Sequence, residues 1–279
     1  MMTRIVYNRV GKAGSTAMTA LLQFLAPRNN FHVVNDFHYM PDRAHLLSTL
    51  THLPQDTVYI NHCKYIELEN EPIEDIIWIN MVRDPIERQA SLYYFQVSPG
   101  QGRSAIEELH RRDRSVNQCG CMNMEFDDCY RYYLDNTNCT DKLKVEPLEK
   151  FFADAPVNVK VGSEHFPQDK VYARIRDRYL FVGIVEEWEL SVQMFEHLLP
   201  RFFKGATAYL KDQPHILNKT PEVNPLTHTT KTGAISTHVR DALKRYNHDE
   251  VLLYERIKRL FWIKIGLAFP DLADTDLTM

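Results

Sequence analysis

The chain has 279 residues, 44% of them hydrophobic and 25% charged, with a formal net charge of −4. That apolar content is enough for a sizeable core and excludes a chain held open by its own charge. The acidic balance speaks against nucleic acid as a partner, although a local basic cleft on an acidic protein still accommodates a polyanion.

In chain order, Ile5, Val6 and Tyr7 open a strand that breaks at Val10-Gly11-Lys12-Ala13-Gly14, and a helical pattern starts at Ser15-Thr16. Strand, glycine turn and helix together offer backbone N–H groups and a partial positive charge to an anion, and Lys12 adds a full charge. A nucleotide-triphosphatase loop needs G-x-x-x-x-G-K-[ST]; here the lysine precedes the second glycine. On the residues alone, the turn is either an anion grip or a plain strand-to-helix turn capped by Ser15.

Further strands are expected at 31–34, 57–62, 76–82 and 179–185. The 76–82 run is almost wholly apolar, as a central parallel strand buried on both faces should be. Helices are expected at 41–50, with Pro41 at the start, and at 86–95, 169–178, 186–199 and 200–210. A last helical stretch over 236–269 is interrupted at Asn247-His248-Asp249. Between these elements, 98–115 is polar and basic, 147–168 reads as irregular, 211–232 as a long loop, and 271–279 as frayed. Strands alternating with helices predict an α/β fold, a central parallel sheet flanked by helices, in a single domain over residues 1–279. Ligands of such sheets bind at the carboxyl ends of the strands, and the Gly11–Gly14 turn, His62 and Arg83 each fall just past one.

No run of about 18 or more apolar residues occurs, so no membrane anchor is expected in this chain. Of five cysteines, Cys63 stands apart while Cys119, Cys121, Cys129 and Cys139 cluster. The cluster suggests a local disulfide-bearing excursion and an oxidising compartment; the alternative is reduced cysteines in a cytosolic protein. Irregular spacing and the lack of a nearby histidine speak against zinc, and no metal is expected. Asn138-Cys139-Thr140 and Asn218-Lys219-Thr220 are glycosylation triplets.

Arg9-Val10-Gly11-Lys12-Ala13-Gly14-Ser15-Thr16 resembles the phosphosulfate loop of sulfotransferases that use 3′-phosphoadenosine 5′-phosphosulfate (PAPS). Ile79 to Arg88, followed by Ser91 and Tyr93-Tyr94-Phe95, resembles their 3′-phosphate-binding strand and helix. More narrowly, Tyr59-Ile60-Asn61-His62, Tyr179 to Glu187 and Leu199 to Ala206 are similar to the glycosaminoglycan uronyl 2-O-sulfotransferases, which act on heparan sulfate or on chondroitin/dermatan sulfate. The resemblance runs over nearly the whole chain and implies a P-loop-like sulfotransferase fold.

It further implies PAPS as co-substrate, no metal, and transfer to the 2-hydroxyl of a uronic acid. Arg9, Gly11, Lys12, Ala13, Gly14, Ser15, Thr16, Arg83 and Ser91 would hold the nucleotide, and Lys219-Thr220 resembles a segment that closes over it. Lys12 would stabilise the leaving group, and His62 aligns with the family's catalytic base. A second histidine of the heparan enzymes is Ile60 here. Arg9, Arg88 and Arg103 would meet the acidic polymer. Arg103 lies in a basic stretch with Arg111, Arg112 and Arg114 that reads equally as a solvated loop. Cys129 and Cys139 look like the family's first disulfide. Family members are anchored in the Golgi, face its lumen, and are often homotrimeric. Heparan and chondroitin/dermatan preference stay open, and the rivals are a nucleotide-dependent kinase, disfavoured by the loop order, and a non-catalytic glycan-binding relative.

Overall fold

The computed structural model describes residues 3–97, 121, 124–133, 146–154, 168–212 and 234–273. Its strands are β1 (Arg4–Asn8), β2 (His32–Asn35), β3 (Thr57–Asn61), β4 (Ile76–Val82) and β5 (Tyr179–Ile184). The helices are α1 (Ser15–Asn29), α2 (Arg43–His52), α3 (Pro85–Val97), α4 (Phe126–Tyr133), α5 (Leu148–Phe152), α6 (Gln168–Arg178), α7 (Trp188–Leu198), α8 (Pro200–Phe203), α9 (Ala206–Asp212), α10 (Thr237–Tyr246), α11 (His248–Ala268) and α12 (Pro270–Ala273). Contacts divide the chain into two compact units: Met1–Arg83 with Pro147–Asp212 and Leu252–Met279, and Asp84–Glu146 with Gln213–Val251.

The first unit holds a five-stranded sheet in the order β2-β3-β1-β4-β5, every pairing parallel. The expected α/β fold is therefore the observed one. The strands are short and β-branched, and β3 is buried along its whole length, as a strand covered on both faces must be. The carboxyl ends of β1 and β3 are in register, Asn8 opposite Asn61, and Tyr7 of β1 lies opposite Ile79 of β4. Asn8 and Asn80 are fully buried. Asn80 Nδ2 donates to the Asn8 carbonyl at 2.6 Å, and Asn8 Nδ2 donates to the Phe151 carbonyl at 3.0 Å. Buried carboxamides satisfied by backbone in this way tie strand ends together.

Three expectations are corrected in this unit. Pro41 does not open α2: Asp42 is the cap, its carboxylate accepting from the His45 N–H at 2.8 Å, and Pro41 precedes it. Residues 148–152, expected to be irregular, form α5, because Leu148, Phe151 and Phe152 bury completely and the Phe152 ring meets Tyr179 edge-on. The helix expected over 200–210 is broken at Gly205, whose φ of +86° is left-handed. The Glu196 carboxylate then accepts from the Gly205 and Thr207 N–H groups and starts α9 afresh.

The second unit packs α3, α4 and α10 around Tyr93, Tyr94, Phe126, Tyr130 and Leu243. The helical stretch near the end of the chain breaks at Asn247, as expected. The expected disulfide is corrected: Cys129 bonds Cys121, not Cys139, with Cα atoms 5.6 Å apart across an eight-residue separation. The helix α4 brings Cys129 over the segment that carries Cys121, which sequence spacing could not express. Among the described residues, no helix is long and apolar enough to cross a membrane.

Candidate functional site

The site is built where β1 and β3 end together. The Arg9 N–H donates to the Asn61 carbonyl at 2.9 Å, so Arg9 and His62, each one residue past its strand, arrive side by side. His62 Nδ1 lies 2.9 Å from the Arg9 carbonyl oxygen. A carbonyl can only accept, so the neutral ring carries its proton on Nδ1 and its lone pair on Nε2. The backbone of one strand thus sets the tautomer of a side chain on the next.

The turn after β1 runs through two left-handed residues, Lys12 at φ +63° and Gly14 at φ +70°. A lysine in that region is uncommon, and such conformations concentrate at functional turns. Val10 and Ala13 are fully buried and anchor the turn, while Gly11, Lys12, Ser15 and Thr16 are half-buried at its surface. The two glycines differ. A Cβ on Gly14 would stand 3.0 Å from Trp188 Cζ3 and 3.3 Å from Val185 Cγ2, whereas one on Gly11 would meet nothing within 4 Å. Gly14, not Ser15, is the N-cap residue of α1; no side chain caps that end, and its first turn holds no acid. Ser15, expected as the cap if the turn is a plain one, is thus the first residue of the helix and not its cap. A helix start without a side-chain cap leaves its first N–H groups in need of acceptors, which an anion can supply.

Arg9 supplies the clearest electrostatic feature. Its guanidinium is half-buried, its Nε is buried without a hydrogen-bond partner, and it forms no ion pair among the described residues. Desolvation lowers its pKa, and the one titratable group acting against that is Tyr7. The Tyr7 phenol is itself pushed up by complete burial and supplies no anion at neutral pH. A half-desolvated cation with no anion beside it among the described residues is costly unless its charge is matched from elsewhere, as by a ligand.

Sequence reasoning overlooked the segment after β2. Its backbone is fastened to β3: Asp36 N–H donates to the Ile60 carbonyl at 2.9 Å, Met40 N–H to the His62 carbonyl at 2.8 Å, and Asn61 Nδ2 to the carbonyls of Asp36 and His38. Tyr59 Oη donates to Asp36 Oδ2 at 2.6 Å, and the His38 N–H donates to Asp36 Oδ1 at 2.8 Å. Burial alone would raise the Asp36 carboxyl, but these donors and the charge of His45 hold it below the usual carboxylate range. The Tyr39 ring stands 5.5 Å from the His62 ring. Phe37-His38-Tyr39 was visible as an aromatic run just past a strand end, the signal that could have found it.

Arg83 follows β4 directly and is half-buried. Ser91 lies on α3 and is 2% exposed. At the start of α3, the Asp84 carboxylate accepts from the Ile86 and Glu87 N–H groups, and Arg240 reaches Glu87 at 2.5 Å. Arg88 is a correction. It is 1% exposed, pairs with Glu250 at 2.7 Å and donates to the Glu146 carbonyl, so it stabilises the second unit and cannot meet a polymer. Arg103, Arg111, Arg112, Arg114, Cys119, Cys139, Lys219 and Thr220 lie outside the described residues.

A profile described as "Sulfotransferase family" matches residues 2–255. The chain is 28% identical over 229 residues to heparan sulfate 2-O-sulfotransferase 1 of Mus musculus and of Homo sapiens, covering 78% of this chain and 61% of each relative. It is 24% identical over 283 residues to uronyl 2-sulfotransferase of Homo sapiens, covering 95% of this chain and 64% of that protein. The chain thus spans less than two thirds of the length of these curated relatives.

Proposed function

The chain belongs to the sulfotransferase family, and we propose that it transfers a sulfuryl group from PAPS to the 2-hydroxyl of a uronic acid in a glycosaminoglycan. The observation that carries this reading is that Arg9, half-buried and with no acidic partner among the described residues, accepts through its backbone carbonyl from His62 Nδ1, so that an unmatched cation and an oriented imidazole share one strand-end pair. An anionic acceptor beside a proton-accepting imidazole is the chemistry that combination suits. The likeness to proteins named as acting on heparan sulfate and on uronyl residues supports the same class of acceptor.

In this mechanism, His62 Nε2 takes the proton of the acceptor hydroxyl as that oxygen forms its bond to sulfur. The bond from sulfur to the bridging oxygen of the donor breaks, and its electron pair stays on the departing phosphate. Lys12 and the first N–H groups of α1 stabilise the charge that develops there, and Ser15 and Thr16 add hydroxyl donors. Arg83 would clasp the 3′-phosphate in a two-point fork that lysine cannot copy, with Ser91 adding a hydroxyl. Lys219 and Thr220 belong to the same nucleotide site in this proposal, and Arg103 to the polymer's path. A homotrimer and the Golgi lumen accompany the proposal, the latter supported by the Cys121–Cys129 disulfide.

The test is to mix the protein with labelled PAPS and desulfated heparan or desulfated chondroitin, then to analyse product disaccharides. Label at the uronate 2-position of either polymer is expected. Absence of label on both, under conditions where the protein still binds glycan, overturns the enzyme and leaves a binding protein.

A further inference from the structure

Two large rings stand exposed on the segment that braces His62. Phe37 is 81% exposed and Tyr39 56% exposed. Exposed aromatics on mobile tails are commonplace, but these sit on a backbone tied to β3 at four points by the donors of Asp36, Met40 and Asn61. His38, the residue between them, is committed elsewhere, its ring 4.5 Å from that of His45 on α2. The Tyr59–Asp36 hydrogen bond at 2.6 Å fixes the start of the segment. Both rings nevertheless keep most of their surface open, and keeping a large apolar ring in water has a cost that a ligand would relieve.

We propose that Phe37 and Tyr39 form an aromatic platform on which the acceptor's uronate ring stacks, setting its hydroxyl before His62. This rests on the reading of His62 as the base and goes beyond it by naming what holds the sugar. A uronate pyranose has an apolar face of C–H groups, which suits the negative face of an aromatic ring. Its edge carries hydroxyls and a carboxylate, which suit the imidazole and the Arg9 guanidinium. The Tyr39 ring already lies 5.5 Å from His62, and Arg9 touches His62 through its carbonyl. A sugar ring stacked on Tyr39 would therefore lie beside the base. Preorganised rings lose little freedom on binding, so they contribute affinity efficiently.

The test uses desulfated heparan and desulfated chondroitin oligosaccharides in calorimetric titrations, with 3′-phosphoadenosine 5′-phosphate as the control ligand. Phe37→Ala and Tyr39→Ala are each expected to weaken oligosaccharide binding by about 3- to 10-fold, from the usual worth of an aromatic face. Nucleotide binding should hold within about twofold, since the rings are assigned only to the acceptor. Tyr39→Phe should restore the binding lost in Tyr39→Ala, which a role through the phenol hydroxyl would not allow. Unchanged oligosaccharide affinity in both alanine variants overturns the platform, as does a parallel loss of nucleotide binding or a failure of the parent protein to bind either oligosaccharide. The two readings separate cleanly. Transfer by the parent with an unaltered acceptor KM in the variants removes the platform and keeps the enzyme. Binding that depends on the rings without any transfer keeps the platform and removes the enzyme.

Discussion

Arg9 and Arg88 lie in different units and look alike in sequence, each an arginine within a segment that resembles a ligand-binding motif. Their surroundings differ. Arg88 is 1% exposed and sits on Glu250 at 2.7 Å. Arg9 is half-buried with no carboxylate partner among the described residues; a buried Nε without a partner is common to both. Full burial with a partner makes an arginine part of the fold, whereas partial burial without one leaves its charge to be matched from outside. Sequence position alone did not distinguish them.

The largest expected effect concerns the residue that Arg9 holds. His62→Ala should lower sulfuryl transfer by about 10²- to 10⁴-fold, the usual worth of a general base. Binding of 3′-phosphoadenosine 5′-phosphate should survive; loss of both together would make His62 structural. Arg9→Ala should cut acceptor use while leaving thermal stability intact or raised, because it removes a cation that no carboxylate among the described residues matches.

Arg88→Ala should do the reverse. Leaving Glu250 buried without its cation costs about 3–5 kcal/mol, read as a fall in midpoint by denaturant titration. Replacing both partners, Arg88→Met with Glu250→Leu, should recover much of that loss. If Arg88→Ala instead lowers acceptor affinity at unchanged stability, the contrast between the two arginines collapses.

The turn allows a smaller version of the same comparison. Gly14→Ala is strained at φ +70° and pressed against Trp188 at 3.0 Å, so it should destabilise by ~1–3 kcal/mol and weaken nucleotide binding. Gly11→Ala has open space and should be tolerated in a thermal melt. Equal effects would mean that the glycines serve the ligand rather than the fold.

The smallest effect is in acid. The Asp36 carboxyl is held low in the folded protein. Its contribution is therefore complete above the unfolded value of about 3.9 and is lost as pH falls through the lower folded value. Asp36→Asn should lower the neutral plateau of stability by that contribution and flatten the acid limb below about pH 4.

Much of the fold was legible, because the buried parallel strands and the amphipathic helices between them write their periods into the chain. β4 at 76–82 and the turn at Gly11–Gly14 are examples. What escaped depended on contacts distant in sequence. α5 looked irregular because five residues are too few for a period, and burial of Phe151 and Phe152 makes the helix. Cys129 was matched to the wrong partner because α4 decides which cysteine comes within reach. In the site, the strand-end positions of Lys12, His62 and Arg83 were readable. The bracing segment Asp36–Met40 was not, since its significance lies in hydrogen bonds to β3.

By itself, the sequence determined the parallel α/β order, the glycine turn with its lysine ahead of the second glycine, and the placement of His62 one residue past a strand. These are local properties, set by hydrophobic period and turn chemistry. Tertiary structure alone decided which arginine is spent on the fold, which cysteine Cys129 meets, and which nitrogen of His62 carries the proton. Each of those depends on what stands across a strand pairing or a helix packing, and burial and hydrogen-bond partners exist only once the chain has closed on itself.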